Sequence, residues 1–509
     1  MLEVSEERDG VVTRQKRILF PRWHQRDAVR ALVADVAARG PGQRYLVEHS
    51  AGSGKSNTIA WLAWHLADLP DGGGGALFDK VVVVTDRTVL DNQLAETIEQ
   101  MTAHPAKVRH IREQVREAQR SRTVLSGERT SGGSALVDAL EDPSARVIIV
   151  TVQTFLKADS ELDDRVRRSY AVILDEAHGG VGEKSDAAMA RAFAPDGGDD
   201  YLRAYAARRQ HPSQSLFAFT ATPKRETLFL YGVPEPTDDA PERRVPFHRY
   251  RMRQAIAEGF IVNVLDGYLR YHTYFKLRGV GIEGNDPEVD ARLATEAIYR
   301  EVFNDPKVMA AKVRVIATHF LTKVRALLDG KVRAMVVTSS REAALGYGRA
   351  LRKEFETRGA KGVGVLVAFS GAVADPETEG TVTEAEVNGF PEAQLPKRFA
   401  TGDHRVLVVA NKYQTGFDQP LLCAMYIDRP LDDVQAVQTL SRLNRPAGVG
   451  TKPVFALDFV NGNEVPEAFA RFLDGTTLTD APTPEALDDL RAHLDAAGVY
   501  ARRRSRRRA

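Results

Sequence analysis

The chain contains a single cysteine, Cys423, among its 509 residues. It therefore cannot form an internal disulfide bond, and this scarcity is typical of proteins in a reducing compartment. No apolar run approaches the roughly 18 residues that a membrane-spanning helix needs. The first residues are charged and lack the apolar core of a secretion signal. From these absences we expect a cytoplasmic protein without a membrane anchor.

Neither sign of charge dominates, because 70 Lys and Arg stand against 69 Asp and Glu, for a net charge of +1. Six of the arginines lie in the final stretch ARRRSRRRA, and without these six the net charge would be −5. The overall charge therefore does not indicate nucleic-acid binding, and any such site must be a local groove. The arginine-rich tail itself allows two interpretations, a salt-sensitive contact with DNA phosphates or a disordered end without a role.

Short β-branched runs alternate with amphipathic stretches along most of the chain. The runs RYLVEH, KVVVVTD, RVIIVTV, YAVILDE and LFAFTAT are apolar on both faces, and the pattern returns in RAMVVTSS, VGVLVAFSG, HRVLVVAN and CAMYIDR. Such runs are typical of buried parallel strands with crossover helices, so the sequence predicts an α/β protein. We expect a polar lead-in over 1–17, a first domain over 18–231, a linker and helical connector over 232–331, a second domain over 332–462, and a C-terminal helix with the arginine-rich tail over 463–509.

The segment HSAGSGKS predicts a phosphate-binding loop, since it follows the strand run RYLVE and opens the helical stretch NTIAWLAWHL. Glycines let backbone N–H groups face phosphate oxygens, and the helix N-terminus adds its dipole. Lys55 would reach the β- and γ-phosphates of ATP, and Ser56 would hold Mg²⁺. The alternative is a tight glycine-rich turn with a surface lysine. The expected nucleotide-binding residues of this segment are His49, Gly52, Ser53, Gly54, Lys55, Ser56 and Asn57.

The stretch AVILDEAHGG places Asp175 and Glu176 at the end of an apolar run. Asp175 would bind Mg²⁺, and Glu176 would orient and deprotonate the attacking water. Acidic residues often end strands by chance, so the tetrapeptide alone is weak evidence. Together with the glycine-rich loop it predicts nucleoside-triphosphate hydrolysis. Thr220 and Thr222, in FAFTATP, are candidates for sensing the γ-phosphate and passing its state on by hydrogen bonds.

The stretch QAVQTLSRLNR supplies Gln438, Arg442 and Arg445 from the second domain. The two arginines are three residues apart, about one helical turn, so both could point at one ligand. Arginines that reach a γ-phosphate from a second domain act as arginine fingers. The alternative is an ordinary surface helix with ion pairs. We assign Gln438 to coupling, together with the two threonines of FAFTATP.

The order GSGKS, TDR, TVQTF, DEAH, TATP, TSSR, NKYQTGFD, QTLSRLNR resembles a superfamily two DEAH-box helicase-type motor. More narrowly, FPRWHQRDAV, HSAGSGKSNTIAWLA, VVVVTDRTVLDNQL and KYQTGFDQP resemble the motor of the R subunit of type I restriction enzymes. The resemblance implies two RecA-like P-loop domains in tandem and ATP-dependent translocation on double-stranded DNA with Mg²⁺. It also implies methyltransferase and specificity subunits as partners. His49 in place of the usual first glycine is common in that branch.

The resemblance also implies roles for individual residues. Gln25 in FPRWHQ would read the adenine edge, with Phe20 and Arg22 packed on the base, whereas the alternative for Gln25 is a helix-start glutamine bonded to solvent. Gly416 and Asp418 would bind the nucleotide and couple it to the nucleic-acid grip. Strand-end hydroxyls and amides suit phosphate contacts without sequence readout, although they can also be plain strand-end caps. The expected DNA-backbone contacts are Thr85, Arg87, Thr151, Gln153, Ser339, Ser340 and Thr415.

A nuclease core of this family needs a D…E-x-K set to hold metal and activate water. The sequence contains no E-x-K, and D-x-K occurs only at Asp305–Lys307 and Asp329–Lys331, both in the expected connector. We therefore expect a motor module that does not cleave DNA by itself. Two alternatives stay open: a helicase that separates DNA or RNA strands, and a binding module that ATP only switches. Retention of Glu176, Arg442 and Arg445 disfavours the switch.

Overall fold

A computed structural model gives the fold of the chain. It describes residues 2–8, 11–17, 20–85, 94–95, 97–99, 107–111, 132–151, 154–155, 169–175, 213–235, 243–270, 306–377, 380–413, 417, 419–447 and 452–473. Two parallel sheets dominate the described residues, and we call the part built on each sheet the first lobe and the second lobe. The α/β prediction with two parallel sheets and flanking helices is confirmed.

The first lobe contains a seven-stranded sheet in which neighbouring strands are parallel. Every apolar run named above for the first domain forms one of its strands. Helices with both ends inside the described part of this lobe are Trp23–Arg39, Lys55–Ala67, Gly132–Glu141 and Arg225–Tyr231. Across the sheet the order is His248–Tyr250, Arg44–His49, Gln214–Thr220, Tyr170–Leu174, Lys80–Thr85, Val147–Thr151 and Val108–His110.

The strand Lys80–Thr85 shows why these runs are apolar on both faces. Val81 and Val83 join the core that contains the helix Lys55–Ala67. Val82 and Val84 alternate with them and join the core that contains Leu136 and Leu140 of the opposite helical layer. Because successive side chains of a strand point to opposite faces, a strand between two helical layers needs apolar residues at every position.

The second lobe contains a six-stranded sheet, again with parallel neighbours. The helix Pro306–His319 continues through the π-helical turn Phe320–Val324 and the 3₁₀ turn Leu327–Gly330. Further helices are Arg341–Thr357, Glu384–Asn388, Leu395–Thr401, Asp433–Leu440 and Glu464–Leu473, with a 3₁₀ turn at Glu392–Gln394. Across the sheet the order is Tyr268–Arg270, Phe455–Asp458, Leu422–Asp428, Arg333–Thr338, His404–Val409 and Gly364–Ala368.

The stretch expected as a linker and helical connector, 232–331, also contributes one strand to each sheet, which was not predicted. His248–Tyr250 forms an edge strand of the first sheet, and Tyr268–Arg270 forms an edge strand of the second. Between them lie only the helix Met252–Ala257 and the 3₁₀ turn Val264–Gly267. The chain therefore passes from one sheet to the other within a few turns. These strands are three residues long and rich in basic and aromatic residues, so they show neither apolar periodicity nor a strand-like run.

Three antiparallel pairs complete the described structure, and the pair at the start of the chain was not foreseen. The stretch expected as a polar lead-in pairs Leu2–Arg8 with Val11–Arg17. The predicted helix over 484–501 and the arginine-rich tail lie outside the described residues. Among the residues that the structure describes, no helix is both long and apolar enough to cross a membrane. The other two pairs are Val233–Pro234 with Arg244–Val245 and Ala372–Asp375 with Gly380–Thr383.

Candidate functional site

The segment 49–56, which we call the phosphate loop, leaves the carboxyl end of the strand Arg44–His49 and enters the helix Lys55–Ala67. Gly52 and Gly54 have φ angles of 83° and 92°, which side chains disfavour and glycine adopts freely. The N–H of Ser53 donates to the carbonyl of Ser50 over 3.1 Å and closes a tight turn. The loop is therefore wrapped around a helix N-terminus, where an anion is favoured.

Side chains from the start of the helix Trp23–Arg39 hold the carbonyls of the loop. Gln25 donates from Nε2 to the carbonyl of Gly54 over 2.9 Å. His24 Nε2 lies 3.1 Å and Arg22 Nη1 3.5 Å from the carbonyl of Ser53. Because C=O and N–H point to opposite sides of a trans peptide plane, these anchors turn the following N–H groups away from the donor side chains.

The second lobe supplies a further anchor of the same kind. Asn444 donates from Nδ2 to the carbonyl of Ala51 over 2.9 Å, and its own carbonyl accepts from the N–H of Val262 over 2.7 Å. Asn444 is 2% exposed. The loop, the connector and the segment QTLSRLNR therefore meet at one residue, although Asn444 was not among the candidates taken from the sequence.

The expectation that Arg442 and Arg445 lie on one helix is wrong. The helix Asp433–Leu440 ends before them, and the N–H of Arg442 bonds to the carbonyl only three residues back, at Thr439. The chain leaves the helix in a tighter turn because Leu443 is fully buried in the core of the second lobe. This turn places the next residue, Asn444, against the phosphate loop of the first lobe. Arg442 donates from Nη1 to the carbonyl of Phe417 over 3.1 Å, and both arginines are half-buried.

Asp175 lies at the same edge of the first sheet as the phosphate loop. It directly follows the strand Tyr170–Leu174, is 9% exposed, and its N–H donates to the carbonyl of Val84 over 3.0 Å. A single strand, Gln214–Thr220, separates this strand from Arg44–His49. Since all three strands are parallel, their carboxyl ends face the same side, and this side carries both the loop and the carboxylate.

Thr220 and Thr222 close the strand between the loop and Asp175. The N–H of Thr222 donates to Thr220 Oγ1 over 3.1 Å, which turns the chain at the strand end. Both residues are fully buried. Within the described residues, Thr222 Oγ1 is buried without a hydrogen-bond partner. An unsatisfied hydroxyl at this place can accept or donate a bond when a ligand or a neighbouring segment arrives.

His49, the residue in place of the first glycine, has a fully buried side chain. Its Nε2 lies 3.1 Å from His248 Nδ1, and His248 Nε2 lies 3.3 Å from Asp27 Oδ2. Burial, with the nearby His248, lowers the pKa of His49 well below its ordinary value, so the ring is neutral. The side chain thus ties the strand end to the edge strand His248–Tyr250, and any phosphate contact at this position would come from its backbone.

The surroundings of the loop include aromatic rings that the sequence candidates only partly covered. Phe20 is 78% and Trp23 68% exposed, which is unusual for such large apolar side chains. Trp23 was missed, although it stands inside the quoted FPRWHQ. The ring of His24 stacks on Tyr250 with 3.6 Å between centroids, and the Arg22 guanidinium lies 4.3 Å from the centre of the Phe260 ring.

Four of the residues expected at a nucleic-acid contact are described, and they lie at the carboxyl edges of the two sheets. Thr85 and Thr151 are register neighbours on adjacent strands and are both buried. In the second lobe Ser339 is exposed, whereas the hydroxyl of Ser340 caps the helix Arg341–Thr357 by accepting from the N–H of Ala343 over 3.0 Å. The cap interpretation therefore holds for Ser340.

The remaining candidates divide between the described and the other residues. Lys55, Ser56 and Asn57 form the half-buried first turn of the loop helix, and Gln438 is half-buried on the helix Asp433–Leu440. The others lie outside the described residues, and their predicted roles stay predictions. They are Glu176, Arg87, Gln153, Thr415, Gly416 and Asp418.

Comparisons with known families agree with the resemblance drawn from the motifs. The profile of the SWI2/SNF2 ATPase family matches residues 24–292, and that of "Type I restriction enzyme subunit R domain 3" matches residues 377–454. The HindI type I restriction enzyme endonuclease subunit of Haemophilus influenzae is 24% identical over 465 residues, which cover 86% of this chain and 39% of that protein. The chain thus spans about two fifths of this relative.

Two solved structures share the fold. A fragment of a putative HsdR subunit of a type I restriction enzyme from Vibrio vulnificus has a TM-score of 0.51 at 15% identity, covering 90% of this chain and 67% of that one. The Type ISP restriction-modification enzyme LlaBIII, bound to DNA, has a TM-score of 0.50 at 14% identity, covering 91% of this chain and 30% of that one. At these identities the likeness concerns the fold.

Proposed function

Because the chain belongs to the SWI2/SNF2 ATPase family, we propose that it is an ATP-driven motor that moves along double-stranded DNA in a type I restriction-like system. The observation that carries the proposal is the phosphate loop, whose carbonyls at Ala51, Ser53 and Gly54 are held by side chains from both lobes. A loop fixed in this way presents N–H groups to a polyphosphate, and its contact with the second lobe offers a route from nucleotide to lobe position.

The chemistry of the donor set fits a nucleotide with Mg²⁺. Lys55 at the first position of the loop helix would neutralise the β- and γ-phosphates. The hydroxyl of Ser56 and the carboxylate of Asp175, at one edge of the sheet, offer the hard oxygen ligands that Mg²⁺ prefers. Mg²⁺ held there would supply charge neutralisation on the phosphates.

Hydrolysis would use residues of both lobes. Glu176 follows Asp175 in the sequence and would orient the attacking water and accept its proton. Arg442 and Arg445 flank the loop anchor Asn444, so in the lobe arrangement that holds the Ala51 carbonyl they would serve the γ-phosphate as arginine fingers, a contribution typically worth about 10³–10⁵ in rate. Thr222, whose hydroxyl has no hydrogen-bond partner among the described residues, and Gln438 would pass the phosphate state on.

The base of the nucleotide would lie beside the start of the helix Trp23–Arg39. Phe20 and Trp23 expose large ring faces there, and adenine offers a matching flat face for stacking. Gln25 and Arg22 both hold the loop carbonyls. Base packing and loop orientation would therefore depend on the same short segment.

DNA would run over the carboxyl edges of the two sheets, where we propose contacts from Thr85, Thr151 and Ser339. Thr415, Gly416 and Asp418 would link that grip to the nucleotide. The choice of double-stranded DNA draws on the relatives, which are restriction endonuclease subunits, and on LlaBIII, whose structure is DNA-bound. Methyltransferase and specificity subunits are the proposed partners, in the cytoplasm. That this chain cleaves no DNA by itself stays a prediction.

Steady-state ATP hydrolysis by the purified chain, with and without linear duplex DNA, tests the proposal. We expect duplex to raise the turnover number at least severalfold in the wild type. Lys55→Ala should abolish turnover, because the β/γ-phosphates lose their cation. Lys361→Ala, which removes an exposed lysine of the second lobe, serves as the matched control and should behave as the wild type.

The DNA-dependent part can fail separately from the ATPase part. An ATP turnover number that duplex DNA does not raise would contradict a complete DNA motor in these residues. Displacement of a triplex-forming strand without unwinding of a forked duplex is the expected sign of translocation on double-stranded DNA. Efficient unwinding of the fork would instead favour a strand-separating helicase. Absence of all turnover would overturn the proposed hydrolysis.

A further inference from the structure

We infer that Asn444 is a positioning residue that makes the shape of the phosphate loop depend on the second lobe. This inference rests on the proposed ATP hydrolysis and deepens it by giving one of the loop-holding side chains its own testable role. The amide of Asn444 donates to the carbonyl of Ala51 over 2.9 Å, across 393 positions of the sequence. In the described part of the chain, the other side-chain bonds to the carbonyls of Ser53 and Gly54 come from the first lobe itself.

The bond fixes a particular peptide plane. Holding the carbonyl of Ala51 toward the second lobe forces the N–H of Gly52 to the opposite side of the same trans peptide. His24 and Gln25 act in the same way on the two planes that follow Ser53 and Gly54. The N–H groups that would face phosphate oxygens are thus oriented by three separate side chains, of which Asn444 belongs to the other lobe.

The packing around this bond is close on the side of Gly52. A Cβ added at Gly52 would lie 2.7 Å from Asn444 Oδ1 and 3.2 Å from Ile261 Cγ2, so the glycine is needed for close approach as well as for its φ of +83°. Asn444 Oδ1 is buried without a hydrogen-bond partner among the described residues. Burying an unsatisfied amide oxygen costs free energy, which the bonds of the Asn444 Nδ2 and backbone carbonyl would have to offset.

The backbone of Asn444 links the same point to the connector. Its carbonyl accepts from the N–H of Val262 over 2.7 Å, and Ile261 belongs to the core of the second lobe. Asn444 also stands between Arg442 and Arg445. A shift of the second lobe would therefore move the proposed arginine fingers and release the Ala51 carbonyl together. This coupling would make nucleotide affinity highest in the lobe arrangement that also places the fingers.

The first arm of the test measures nucleotide affinity and ATP hydrolysis. Asn444→Leu keeps the bulk of the side chain and removes the donor to the Ala51 carbonyl. We expect the dissociation constant for ADP to rise about tenfold, the effect of one misplaced hydrogen bond from a loop N–H to the charged phosphate. KM for ATP should rise with it. Asn388→Leu is the matched control: Asn388 makes the same kind of bonds to Val367, through both ends of its amide, within the second lobe. This control should lower the thermal midpoint yet leave the ADP affinity unchanged.

The second arm needs no nucleotide and separates the two proposals. Hydrogen exchange of the loop amides in the free protein should be faster in Asn444→Leu than in the wild type, and unchanged in Asn388→Leu. Equal exchange and equal ADP affinity in wild type and Asn444→Leu would overturn the inference. The two proposals would separate if the loop amides exchanged hydrogen faster in Asn444→Leu while the wild type neither bound nor hydrolysed nucleotide. That result would support the positioning role and contradict the proposed function.

Discussion

The side chain of Gln25 holds the carbonyl of Gly54 with a hydrogen bond of 2.9 Å, while its Oε1 accepts from the N–H of Arg22 over 2.8 Å. Both ends of one amide thus serve the start of a helix and the phosphate loop at once. Gln25 is 2% exposed, so the alternative of a solvent-bonded glutamine does not hold. The same pair explains the glycine, since a Cβ at Gly54 would lie 2.7 Å from Gln25 Nε2.

Gln25→Leu should weaken nucleotide binding, because it removes the donor that turns the Gly54 peptide. We expect the dissociation constant for ADP to rise about tenfold, measured by calorimetry, in line with the loss of roughly 1–2 kcal/mol of oriented hydrogen bonding. Gln254→Leu, on an exposed face of the helix Met252–Ala257, is the control. Equal affinity in both variants would show that the loop keeps its shape without Gln25.

Thr222→Val should separate activity from stability. The substitution keeps the shape and removes a buried hydroxyl that has no partner in the described structure, so the thermal midpoint should stay level or rise. If Thr222 passes the phosphate state on, the turnover number should fall at least severalfold. Ser215→Ala is the matched control, because Ser215 Oγ accepts from the N–H of Gln43 at the other end of the same strand. It should lose stability and keep turnover; unchanged turnover in Thr222→Val would remove that residue from the mechanism.

His24 should make the first lobe sensitive to mild acid. Burial, only partly offset by the Ser53 carbonyl, lowers its pKa from 6.5 to about 4. Because the unfolded chain then binds the proton more tightly, the free energy of unfolding falls as pH drops from about 6.5 toward 4, by roughly 2 kcal/mol at pH 5.

In His24→Gln, which keeps an amide donor and does not titrate, the loss of stability between pH 7 and pH 5 should be smaller by about that amount. Denaturant titrations of both proteins at the two pH values measure the difference. Parallel curves for wild type and variant would show that another group carries the pH dependence.

Two glycines on the helix Arg341–Thr357 should respond in opposite ways to alanine. At Gly348 a Cβ would clash with Val367 Cγ2 of the neighbouring strand, whereas at Gly346 it would meet only the flexible end of Met309 at 3.2 Å. Gly348→Ala should therefore destabilise the protein by about 1–3 kcal/mol. Gly346→Ala should be neutral or stabilising by up to about 1 kcal/mol, from helix propensity. Thermal denaturation of the pair checks both, and a loss at Gly346 equal to that at Gly348 would contradict the assignment.

Local patterns identified most of the fold and the centre of the candidate site. Runs such as KVVVVTD are apolar on both faces because their strand lies between two helical layers. The run of consecutive apolar residues is therefore enough to predict a buried strand. The loop HSAGSGKS is equally local, since Gly52 and Gly54 adopt positive φ within a few residues of the helix that they open. Asp175 could be assigned because it directly follows a buried strand.

Patterns failed where contacts cross long distances. The edge strand His248–Tyr250 was missed because its three residues, next to a basic stretch, are too few to show the alternation of apolar and polar residues that marks a strand. The arginines of QTLSRLNR were expected on a helix because their spacing suits one, but burial of Leu443 and the bond from Asn444 to Ala51 end the helix earlier.

The sequence by itself determined the fold class and the local elements of the candidate site. These are two sheets, a phosphate loop, a carboxylate at a strand end and arginines in the second half of the chain. Each of these depends on neighbours within a few residues. The tertiary structure alone decided which side chains hold the loop carbonyls, namely Gln25 and His24 from one helix and Asn444 from the other lobe. The reason is physical: a backbone carbonyl accepts from any donor that the folded chain brings within reach, and no local spacing records that partner.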